Sequence, residues 1–344
     1  MNDRLTSSST TASNDARFDL IRVIACLAVI LLHVSARGIY LFIQGEVSHK
    51  WWLIAVGVNS ATRWCVPVFV MLSGALLLRK PHSWKETYFR RLPRMALVLA
   101  VAAAIYTLWQ IYFTKDLTLR SFLDGLYYGQ PYYHLYFFFV IMGLYAILPV
   151  LSRLFSQIDQ TTTLWATCIA CLITSISFTL SGSSATFITF AVPYIGYFAF
   201  GYYLSRYQPR LPYRWIMVAA YAVTFAAVEL ATLVKGANWP RTLFPHTYFA
   251  PNTFVFAIGV FGTLYEMRPN ARAATALAFL APLTLIAYII HPMIMETIRW
   301  VFATQFPTLT RLKYDLPVVY TLTVCFSFLA AFCLKEIPIV RRYF

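Results

Sequence analysis

The sequence predicts an all-α polytopic membrane bundle of about ten transmembrane helices, with both termini in the cytoplasm. Three observations predict it. Of 344 residues, 60% are hydrophobic and 12% charged, about half the charged share of an ordinary soluble protein. Apolar stretches of roughly 18 to 25 residues fill nearly the whole chain, and each can cross a ~30 Å hydrocarbon core at ~1.5 Å per residue. Basic residues, finally, gather in alternate loops.

Taken in order, residues 1–17 (MNDRLTSSSTTASNDAR) are polar and Ser/Thr-rich. With no apolar h-region and no small-residue cleavage site, they read as a cytosolic tail and not as a signal peptide. The membrane domain is expected over 18–335 and a short basic cytosolic tail over 336–344. Its apolar runs cover about 18–42, 51–78, 95–113, 132–151, 162–180, 186–205, 214–234, 249–267, 276–300 and 316–335. Between the second and third lies RKPHSWKETYFRRLPR, with Arg79, Lys80, Lys85, Arg90, Arg91 and Arg94. That loop is the strongest cytoplasmic marker, and counting from it places most of the 28 Lys+Arg inside. Outer loops hold few, chiefly Lys50, Lys115, Arg120, Lys235, Arg241, Arg311 and Lys313. The net charge of +15 is thus a matter of orientation, and no nucleic-acid partner is expected. The six cysteines all fall in apolar runs without metal-site spacing, so they read as small hydrophobes, with no metal expected.

Ionisable groups inside spans cost several kcal/mol unless they face a cavity or a partner. The first span carries Asp19, Arg22 and His33. Arg22 and His33 are eleven positions apart, about 1100° of rotation at ~100° per residue, so they share a face and lie roughly 16 Å apart along the axis. Asp19, three residues before Arg22, can pair with it. Taken alone, Arg22 also suits a side chain snorkelling to the inner interface. His134 opens the fourth span, and His291 lies deep in TLIAYIIHPMIME. Independent counting puts both at the outer level of His33, as a shared site requires. His291 precedes Pro292, so a kink-stabilising role is open as well. The second span holds Arg63, Pro67, Ser73 and Gly74. Pro67 and Gly74 suggest a kink or close packing, and Ser73 fits helix packing better than a nucleophile. Glu229, Glu266, Glu296 and Arg299 are further charges, of which Glu296 and Arg299 have the spacing to pair with each other.

No P-loop or dinucleotide fingerprint is present, which leaves histidine, arginine and hydroxyl chemistry. A histidine with a pKa near ~6.5 can take a proton from an acceptor hydroxyl, and arginines can hold phosphates. Ten spans with buried Arg and His also suit a second class, a secondary transporter or glycan exporter without acyl-transfer activity. No internal repeat is visible to support it.

The pattern Asp19, Arg22, His33 resembles the integral-membrane acyltransferase-3 family. Supporting strings are VPVFVMLSGALLL (66–78), RRLPR (90–94), HLYFFFVIMGLYAILP (134–149) and AYIIHP (287–292). Within it, the residues look similar to the branch containing the enterobacterial common antigen O-acetyltransferase and other surface-polysaccharide O-acyltransferases. The resemblance implies a multi-pass protein of the bacterial inner membrane that moves an acetyl or other short acyl group from cytoplasmic acetyl-CoA to a sugar hydroxyl of a lipid-linked or exported glycan. Acetyl-CoA would be a co-substrate, with no permanently bound cofactor. His33 would be the catalytic base or acyl carrier, in a catalytic set with Arg22, its partner in donor binding or site organisation, and Asp19. Arg90, Arg91 and Arg94 would bind the donor, while His134, His291, Arg63 and Ser73 would support the acceptor side.

Overall fold

In a computed structural model of the chain, residues 2–113, 118–181, 190–235, 247–306 and 312–343 are described, and no strand occurs among them. In chain order the helices are α1 (Asn2–Ile43), α2 (His49–Thr62), α3 (Cys65–Leu77), α4 (Trp84–Glu86), α5 (Leu92–Phe113), α6 (Leu119–Tyr127), α7 (Tyr136–Gln157) and α8 (Gln160–Ser181). They continue as α9 (Ile195–Tyr207), α10 (Tyr213–Lys235), α11 (Pro251–Glu266), α12 (Ala271–Leu280), α13 (Thr284–Gln305), α14 (Leu312–Tyr314), α15 (Tyr320–Lys335) and α16 (Pro338–Tyr343). Two π-helical turns, Thr87–Arg91 and Asp315–Val319, lead into α5 and α15.

Among the described residues, seven helical stretches are long and apolar enough to cross a membrane: Ala16–Ile43, His49–Leu77, Trp84–Phe113, Tyr136–Gln157, Tyr213–Ala231, Ala271–Gln305 and Asp315–Lys335. The described parts of the other three expected runs carry α8, α9 and α11, while 186–189 of the run over 186–205 lie outside the described residues. The polar segment expected as a cytosolic tail is helical and continuous with α1, whose membrane-length apolar stretch begins at Ala16. Lys115, Arg241 and Arg311 lie outside the described residues.

The span read as one run over 51–78 is two helices, broken at Arg63–Trp64. Pro67 has no N–H to return to the Arg63 carbonyl, so the ladder cannot run through. The chain restarts with the Val68 amide on the Trp64 carbonyl at 2.9 Å. On the α2 side the Thr62 hydroxyl donates to the Val58 and Asn59 carbonyls, closing the end of that helix.

The described fold forms two units, and the boundary between them falls within α3. The first comprises Met1–Leu72 and Arg210–Pro338. Its central element is α1, on which α2, α11, α12, α13 and α15 pack. Ile30 and Val34 of α1 meet Met295 and Val319 in one apolar cluster, and Val23 meets Leu277 and Ala281 in another. Inside a bilayer such contacts act through close packing more than through release from water. The second unit comprises Ser73–Pro209 and Ile339–Phe344. Here α8 packs on α9 and α5 on α7. Gly74 lies so close to α9 that a Cβ would overlap the Phe198 carbonyl. The turn of α3 bearing Ser73 is therefore a packing surface. Leu108, Ile173, Trp215 and Leu329 point outward from α5, α8, α10 and α15, which suits a lipid surround.

Candidate active site

His33 and His291 come together. Their rings stack with centroids 5.3 Å apart at an interplanar angle of 29°. His291 is fully buried, while His33 is half-buried on α1. The local sequence explains the orientation of His291. Pro292 cannot donate to the Tyr288 carbonyl one helical turn back, and the His291 Nδ1 takes that place at 2.7 Å. A carbonyl only accepts, so Nδ1 carries the proton, and in the neutral ring Nε2 keeps its lone pair. The contact at the proline thus leaves the second ring nitrogen of His291 outside the backbone hydrogen bond. Tyr288 packs edge-on against Phe69 at 6.5 Å, holding this turn of α13 in place.

Two cations act electrostatically on His33: Arg63, at the break between α2 and α3, and Arg299 of α13. The Arg63 guanidinium also lies over the Tyr248 ring, 5.6 Å from its centroid. Near the other end of the span, Arg22 pairs with Asp19 at 3.3 Å and keeps about a third of its side chain (34%) exposed. Arg22, Asp19, His33, His291 and Arg63 all belong to the first unit.

The remaining predicted residues belong to the second unit. Arg90 and Arg91 close the π-helical turn, and Arg94 stands in the first turn of α5. Arg91 donates twice to Glu86, at 3.1 Å from Nε and 2.7 Å from Nη2. The Arg94 Nε donates to the Tyr343 carbonyl at 2.7 Å, and Arg90 is exposed. His134 is buried just before α7, its ring 5.0 Å from Tyr106 and within 6 Å of Tyr132 and Tyr133. An aromatic box of this kind orients an imidazole.

Sequence reasoning missed Asp315, Arg37 and Asn59. Arg299 does pair with Glu296, at 3.1 Å. Its more buried partner, however, is Asp315, bound through Nε at 3.2 Å and Nη2 at 2.9 Å. Arg37 reaches the same carboxylate at 3.1 Å. Asp315 stands one residue before an apolar run, where a carboxylate looks like an interface charge, so only the fold reveals its burial. Glu229, one of the span charges, meets His49 at 3.2 Å, and that imidazole stacks on Trp52.

The first unit therefore offers a fixed imidazole pair on which Arg63 and Arg299 act; the second unit, taken by itself, carries a basic turn ending in Arg90 and Arg91. No curated protein and no solved structure matches the chain. The acyltransferase domain model of the acyltransferase-3 family matches residues 15–336. With almost its whole length matched, this chain belongs to the acyltransferase-3 family and is a membrane acyltransferase.

Proposed function

We propose that the protein is an O-acyltransferase that moves an acetyl group from cytoplasmic acetyl-CoA to a sugar hydroxyl of a lipid-linked or exported glycan in the bacterial inner membrane, with its termini inside. On this reading the activity is of the surface-polysaccharide O-acetylation kind, as in the branch of the enterobacterial common antigen O-acetyltransferase. The observation that carries this reading is the His33–His291 pair.

In this reaction His33 removes the proton of the acceptor hydroxyl. The oxygen attacks the thioester carbonyl, the C–S bond breaks, and the CoA thiolate leaves and takes up a proton. Arg63 supplies positive charge for the oxyanion of the tetrahedral intermediate. Arg22, aligned by Asp19, organises the inner part of the same helix face. Arg90, Arg91 and Arg94 hold the CoA phosphates as charge-assisted hydrogen-bond donors. An acetyl group carried on His33 is a second route with the same residues; it differs by a covalent acyl-imidazole that rapid quenching would trap.

The test is mass spectrometry of surface glycans from cells with and without the gene, paired with thiol release from acetyl-CoA in membranes containing the full chain. Acetylated sugar that depends on the gene, with one thiol released per acetyl transferred, is the expected result. Gene-independent acetylation, or transport of glycan with no thiol release, contradicts the reading.

A further inference from the structure

We propose that Asn59 and the Arg299–Asp315 pair are positioning residues that hold the His33 turn of α1 in register, a role that rests on His33 being the reacting residue. The two backbone carbonyls that flank His33 each receive a side-chain donor from a different helix. Asn59 of α2 donates through Nδ2 to the Leu32 carbonyl and to the Ser35 hydroxyl, both at 3.0 Å. The Ser35 hydroxyl donates in turn to the Leu32 carbonyl at 2.9 Å. On the other side, Arg299 of α13 donates through Nη2 to the Val34 carbonyl at 3.2 Å.

Helix geometry turns these contacts into a clamp. Carbonyls two residues apart are rotated by about 200° around the axis, so α1 is gripped from nearly opposite sides with His33 between the grips. A rotation of α1 large enough to swing His33 away from His291 breaks both contacts. Arg299 is itself fixed by a carboxylate that is 1% exposed. Asp315 opens a π-helical turn whose last residue, Val319, packs with Ile30, Val34 and Met295. Such turns inside helices are frequent at functional positions. Arg37, one turn beyond His33, closes the network on Asp315.

Stability alone does not account for this arrangement. Burying charged groups costs several kcal/mol per ion, and apolar residues of similar volume commonly serve folding as well. What an apolar substitute cannot provide is a directional donor to the Val34 carbonyl. The Arg299 fork reaches Asp315 and Val34 together, whereas a lysine ammonium is a single point charge on a flexible stem.

The experiment measures acetyl transfer from radiolabelled acetyl-CoA to endogenous glycan in membranes bearing the full chain, alongside melting of the detergent-purified protein. Variants are Arg299→Met with Asp315→Leu, Arg299→Lys, Asn59→Leu and His33→Ala. The double apolar variant is expected to melt near wild type, to lose about 10²-fold in kcat, the scale of a ~1 Å misplacement, and to keep its KM for acetyl-CoA. Arg299→Lys fails to rescue, and Asn59→Leu loses kcat in the same way. A folded double variant with wild-type kcat overturns the proposal. Should that variant not fold, Asn59→Leu decides alone: reduced kcat at unchanged KM supports positioning, and wild-type kcat overturns it. An active His33→Ala contradicts the assignment of His33 itself, whereas an inactive His33→Ala beside fully active positioning variants contradicts only the clamp.

Discussion

His291 reaches across from α13 to stack on His33 of α1, ring centroids 5.3 Å apart, while its Nδ1 is spent on the Tyr288 carbonyl that Pro292 leaves without a donor. A helix-breaking residue thus sets the tautomer of a buried imidazole.

Pro292→Ala tests that link. It restores an N–H for the Tyr288 carbonyl, relieving a helix-interior proline worth up to about 3 kcal/mol, and so is expected to raise the melting temperature. The returned N–H competes with His291 for the carbonyl, and kcat should fall about 10-fold. Higher stability with unchanged kcat contradicts the tautomer argument.

In the second unit, Gly74→Ala drives a Cβ into the Phe198 backbone, which cannot yield as a flexible side chain would. A loss of about 1–3 kcal/mol is expected, read as a lower melting temperature. Ser73→Ala, one residue away, should melt and turn over like wild type. A large kcat loss in Ser73→Ala would restore the hydroxyl as a chemical group.

Donor binding is read through KM. Arg90 is exposed and, among the described residues, makes no contact with Glu86 or Tyr343 of the kind Arg91 and Arg94 make. Its replacement by Ala should raise the KM for acetyl-CoA about 10-fold while leaving kcat near wild type, the signature of lost uniform binding. Added salt should narrow the difference. A pure kcat effect would argue against phosphate binding at this turn.

His82 makes stability depend on pH. Loss of hydration on burial holds its imidazole below the usual histidine range, opposed by the Leu77 carbonyl 2.7 Å from Nε2. The unfolded chain then binds the proton more readily than the folded one. The contribution of neutral His82 is therefore complete above the unfolded value, near ~6.5, and is lost as pH falls through the lower folded value. Melting temperature should drop on acidification below about pH 6.5, and His82→Gln should flatten that slope. Parallel slopes would exclude His82 as the cause.

Much of this architecture was legible in the sequence because apolar runs and proline positions are local signals. Among the described residues the ten runs are largely helical, although 51–78 is broken in two and 276–300 is split between α12 and α13. The break at Arg63 was foreshadowed by Pro67, and the close approach at Gly74 by its missing side chain. His33 and His291 were legible by depth, since counting along spans fixes height in the membrane. Their lateral meeting was not, because no periodicity says which helices adjoin. Asp315 was hidden for a related reason. At the edge of an apolar run it resembles a solvated charge, and its partners Arg37 and Arg299 lie on other helices. The same limit made Arg299 look like a simple partner of Glu296, the one acid within helical reach on its own element. Asn59 gave no signal because a single amide in a span costs little to overlook.

The most direct test replaces His33 with Ala and follows radiolabelled acetyl transfer from acetyl-CoA to glycan in membranes with matched amounts of folded protein. A fall of at least about 10²-fold, with melting and insertion unchanged, is the predicted result. Transfer at the wild-type rate would contradict the account at its centre.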